Sequence, residues 1–74
     1  MKKYLLTDSE AGWYKPCDTL DEAAAEVDNH ISETDGDCTI QLFERAGGRR
    51  YKPIGAEMTI RRATYQGRDG VNIF

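Results

Sequence analysis

Apolar residues recur at three- and four-residue steps in one stretch of the chain, Leu20, Ala23/Ala24, Val27 and Ile31, and this spacing predicts an amphipathic helix over residues 19–33. Thr19-Leu20-Asp21-Glu22 opens it with a capping box, in which the Thr19 hydroxyl takes an early helix N–H and the Glu22 carboxylate reaches back to the cap's own N–H. Thr34-Asp35-Gly36-Asp37 should end it, with Gly36 supplying a left-handed exit. Asp21, Glu22, Glu26, Asp28 and Glu33 then fall largely on the solvent side.

Elsewhere the pattern has period two or is broken by turn residues. Lys2 to Thr7 reads as a first strand, Asp8-Ser9-Glu10-Ala11-Gly12 as a turn, and Gly12 to Cys17 as a returning strand whose Pro16 confines it to a sheet edge. Cys38 to Arg45 alternates, with Cys38, Ile40 and Leu42 on one side and Thr39, Gln41 and Phe43 on the other. Ala46-Gly47-Gly48 turns the chain into Arg49 to Lys52, Pro53-Ile54-Gly55 interrupts pairing, and residues 58–65 resume it. After the Gln66–Gly70 turn, Val71 to Phe74 forms a short strand or a docked tail.

This order, ββαββ, predicts a single α+β domain over residues 1–74, an antiparallel sheet of about four to five strands with one helix packed on one face. Leu20, Ala24, Val27 and Ile31 should face a sheet that buries Ile40, Leu42 and Ile60. At 74 residues and 39% hydrophobic content the core is thin, since a chain of this size buries only about 60% of the surface it exposes when unfolded.

Charge changes the picture most. Residues 1–38 carry three lysines against ten carboxylates, net −7, and residues 39–74 carry seven Lys/Arg against three carboxylates, net +4. A fold that keeps the halves apart offers one face to cationic partners and another to anionic ones. The acidic candidates are Asp21, Glu22, Glu26, Asp28 and Glu33, which either imitate a row of phosphates or are simply the solvated side of a helix. The basic candidates are Arg45, Arg49, Arg50, Lys52, Arg61 and Arg62, with Phe43, Tyr51 and Tyr65 interleaved. They would suit single-stranded nucleic acid, or pair across strands with Glu44 and Glu57.

Catalytic chemistry is hard to assemble from what remains. His30 has no second histidine beside it and is expected to pack at the edge of the apolar stripe, no phosphate-binding loop precedes a helix, and Asp35-Gly36-Asp37 falls short of a calcium loop. The expectation is therefore no enzyme, no cofactor and no metal. Cys17 and Cys38 read as two small semi-buried residues in a reducing cytosol, with a single disulfide still open because the two could be neighbours in space. With no run long enough to cross a bilayer and no secretory leader, a cytoplasmic address and no membrane partner are expected.

A capped acidic helix introduced by Cys17-Asp18-Thr19-Leu20-Asp21-Glu22-Ala23 and followed by paired strands is similar, in size, acidity and simple architecture, to the phage-borne anti-CRISPR proteins. The resemblance concerns the whole chain as a type and carries over no functional residue. It implies a monomer or small homo-oligomer that docks on a host protein or nucleic-acid-binding effector complex and obstructs access to it. The alternative is a nucleic-acid-binding or antitoxin-like regulator acting through the basic ribbon.

Overall fold

The computed structural model describes residues 2–34 and 36–61. They form β1 (Tyr4–Asp8), β2 (Trp13–Cys17), α1 (Leu20–Glu33), β3 (Cys38–Gly47) and β4 (Arg50–Ile60). The four strands pair antiparallel in the order β2-β1-β3-β4, and α1 packs on one face across β1 and β2. The α+β architecture read from the pattern is thus the observed one. Arg62, Tyr65, the Gln66–Gly70 turn and the Val71–Phe74 segment lie outside the described residues.

Among the described residues both prolines sit on edge strands, Pro16 in β2 and Pro53 in β4, where a missing N–H costs the sheet no interior bond. Pro53 pairs with Phe43, so the expected interruption falls later. Leu42 faces Ile54 and Ile40 faces Met58, which leaves Gly55, Ala56 and Glu57 as a bulge opposite Gln41. Gly55 takes φ +73° there, and its carbonyl accepts a 2.7 Å hydrogen bond from Gln41 Nε2.

The core lies between α1 and the sheet. Tyr4, Leu6, Cys17, Cys38, Ile40, Leu42 and Ile60 close on Ala23, Val27 and Ile31, with Trp13 and Met58 packed at the margin. Two helix expectations are corrected. Leu20 is 44% exposed and Ala24 is only half-buried, so the inward residues of α1 are Ala23, Val27 and Ile31, with His30 buried beside them at the edge of the stripe as expected.

Both helix ends differ in detail from the motif. Thr19 Oγ1 accepts the Glu22 N–H at 3.0 Å, as a capping box requires, but Glu22 Oε2 takes the N–H of Asp18 rather than that of Thr19. At the other end Thr34, in extended conformation, places its hydroxyl on the His30 carbonyl at 2.6 Å and its N–H on the Ile31 carbonyl. The threonine satisfies the carbonyls that a left-handed glycine would otherwise serve, and Gly36 accordingly has no positive φ.

Candidate functional site

Asp8, read from the sequence as the first residue of the turn after β1, closes β1 instead and is 1% exposed. Its Oδ1 accepts the backbone N–H of Glu10 and of Thr39, both at 3.0 Å, and its Oδ2 accepts from His30 Nε2 at 2.7 Å. One carboxylate therefore ties the β1–β2 turn, the start of β3 and the end of α1 together. Trp13 stacks on the His30 ring with centroids 3.9 Å apart and planes within 10°. Burial pushes the Asp8 carboxyl up, but the hydrogen bonds from His30, Thr39, Glu10 and the Cys38 thiol outweigh it and hold the group below the usual carboxylate range.

Asp8, His30 and Cys38 bring an oxygen, a nitrogen and a sulfur within 4.8 Å of one another, a donor set that zinc also uses. In this fold the Asp8 oxygens and His30 Nε2 already have protein partners, and no buried side-chain polar atom is left without one among the described residues. The cluster behaves as a satisfied structural network. As a nucleophile Cys38 is poorly placed, since burial, then its contact with the Asp8 carboxylate, pushes the thiol up to about 11. Cys17 rises to about 11 as well, from burial and then from the charges of Glu22 and Glu26.

The two cysteines are free and do not approach each other. Cys17 stands opposite Tyr4, while Cys38 lies two residues beyond Ile40, the partner of Asp8. That is six strand positions, or about 20 Å at 3.4 Å per residue, far outside disulfide reach. The disulfide left open by the sequence is excluded.

The basic residues separate into two groups. Arg45, Arg49, Arg50 and Lys52 are exposed at the tip of the β3–β4 hairpin, which runs past the end of β1, where Tyr4 pairs with Glu44. Arg49, Arg50 and Lys52 make no ion pair among the described residues, and Tyr51 is anchored by its hydroxyl donating to the Lys2 carbonyl at 2.8 Å. Arg61 follows the last residue of β4 at its opposite end, eight strand positions from Tyr51 through the β3 register and so about 27 Å away, and it pairs with Asp37 at 3.5 Å. The alternative of cross-strand pairing with Glu44 and Glu57 does not form at Arg49 or Arg50: Glu44 lies 4.0 Å from Lys3, and Glu57 accepts from Ser9.

The acidic residues are also less of a unit than their number suggests. At about 100° per helical residue, Glu22, Glu26 and Glu33 line one flank of α1 and Asp21 and Asp28 the other, with Ala25, Asn29 and Ser32 along the outer crest between them. Glu22 is engaged in the cap and lies 3.9 Å from Lys2, which bonds Asp18 at 3.0 Å. The Asp18 hydrogen bond and charge, then Glu22, raise the Lys2 ammonium above its ordinary value.

No protein-family model, curated protein or solved structure matches the chain. No helix among the described residues is long and apolar enough to cross a membrane.

Proposed function

We propose that the chain is a non-enzymatic binding module that docks on a host protein or nucleoprotein complex and obstructs it, in the manner of small phage-borne inhibitors, with the β3–β4 hairpin tip as its main contact. The observation that carries this reading is the exposure of Arg49, Arg50 and Lys52 on a projecting hairpin with no ion pair among the described residues. Arginine forks held on a hairpin are suited to carboxylates and phosphates on a partner surface. The helix is the weaker candidate because its carboxylates are split into two flanks and Glu22 is engaged by the chain itself.

The test compares tagged wild type with two charge variants in capture from bacterial lysate. Arg49→Ala/Arg50→Ala/Lys52→Ala should lose the captured complex, and the wild-type complex should dissociate as salt rises. Asp21→Lys/Glu26→Lys/Asp28→Lys should retain it. For a CRISPR effector as target, expressing the wild type should restore plaquing of a targeted phage and expressing the hairpin variant should not. Loss of the complex in the helix variant, with the hairpin variant unaffected, would reverse the assignment of the surface. Capture undiminished in both variants would remove the charge-docking account altogether.

A further inference from the structure

The side chains of the sheet that turn away from α1 form an ordered surface. Register places Pro16 beside Leu5, Leu5 beside Phe43 and Phe43 beside Pro53, so one apolar row crosses all four strands. The next row toward the β1–β2 turn contains Tyr14, Thr7 and Gln41, and the next toward the hairpin tip contains Arg45 and Tyr51. Among the described residues no helix packs on this face: Tyr14 is 69% exposed, Pro16 and Pro53 are exposed, and Leu5, Phe43 and Tyr51 are half-buried. The repeated Tyr-Lys-Pro triplet, at 14–16 and 51–53, sets a tyrosine and a proline of each edge strand on the same side.

We propose that this open face is a binding site for single-stranded nucleic acid, with bases stacking on Tyr14, Phe43 and Tyr51 and the phosphates running past Arg45, Arg49 and Arg50 at the hairpin end. From the strand spacing and rise, Phe43 lies about 8 Å from Tyr51 and about 12 Å from Tyr14. Both separations exceed the 3.4 Å per nucleotide of a stacked strand, so only a single strand with splayed bases can place one on each ring. A face of rings beside a group of cations is the arrangement that sequence-tolerant single-strand binding requires. An acidic peptide would use the arginines but has no such use for three rings set in successive rows.

The net charge of −3 does not oppose this, because of where the acid sits. The flanks of α1 lie on the other side of the sheet across a helix about 10 Å wide, beyond the Debye length of about 8 Å at physiological salt. Glu10 and Glu57, which accept from Thr39 and Ser9 toward the far end of the sheet, leave the hairpin end as the positive one. The site shares Arg49 and Arg50 with the protein-docking reading but adds the rings of the open face, so Tyr14→Ala, which leaves the hairpin cations in place, tests it apart from that reading.

The experiment is fluorescence anisotropy of a labelled single-stranded oligonucleotide of mixed sequence with the full chain, using the matching duplex and polyglutamate as competitors. Single strand should bind, and neither competitor should displace it at equal charge concentration. Tyr14→Ala, at a position too exposed to disturb the core, should weaken binding roughly 5- to 100-fold without changing its salt dependence, and Tyr14→Phe should restore it. Arg49→Ala and Arg50→Ala should each lower the salt slope by about one unit. Absence of binding, displacement by duplex or polyglutamate, or full affinity in Tyr14→Ala would each overturn the proposal.

Discussion

Asp8→Ala is expected to be the most damaging substitution of a single polar side chain among the described residues, costing about 3–5 kcal/mol. The loss leaves the N–H groups of Glu10 and Thr39 without their acceptor and His30 without its partner, in a site where Asp8 itself is 1% exposed. For a chain of this size total stability is on the order of 4–11 kcal/mol, so the variant should be largely unfolded or melt at much lower urea by circular dichroism. Asp8→Asn keeps one carbonyl oxygen for the backbone donors and should cost less. The pH dependence has a definite sign. Because the folded carboxyl lies below its ordinary value of 3.8, its contribution is fully present above that value and is lost as pH falls through the folded pKa. The Asp8 carboxylate's share of the stability gap between wild type and Asp8→Asn should therefore shrink as pH falls below about 4.

Ile31→Ala should cost about 2–5 kcal/mol through lost burial and the cavity left behind, since Ile31 is fully buried between α1 and the sheet. Leu20→Ala removes the same class of side chain from the same helix and should cost only a fraction of that, because Leu20 is already 44% exposed. Paired urea melts at matched pH make the comparison. Equal losses at the two positions would mean that the face of α1 has been misplaced.

That pair also marks where sequence reasoning reaches its limit. The helix, its Thr19 cap and the edge position of Pro16 were legible because each is dictated by neighbours in sequence or by the missing proline N–H, whereas Pro53 was expected to interrupt pairing and instead pairs with Phe43. Leu20 was misread because periodicity fixes the angle of a side chain and not how much of it the neighbouring elements cover. Asp8 was misread for a related reason. Its carboxylate does bond the N–H two residues on, as turn residues do, but the remaining partners come from α1 and β3 and are visible only once the strands are paired. His30 carried a usable signal, since it continues the buried series Ala23, Val27 and Ile31 at helical spacing. The basic set was legible as composition and not as a site, because the length of β4 places Arg61 at the opposite end from Arg49 and Arg50. The open sheet face needed the register, which aligns Pro16, Leu5, Phe43 and Pro53 from four separate strands.

Amide chemical-shift mapping of the isotopically labelled chain, titrated with the complex it captures, tests the central claim most directly. The docking account predicts the largest perturbations at Arg45 to Lys52 in the hairpin tip, with α1 essentially unmoved. Perturbations concentrated on Leu20–Glu33, with the hairpin unchanged, would contradict it.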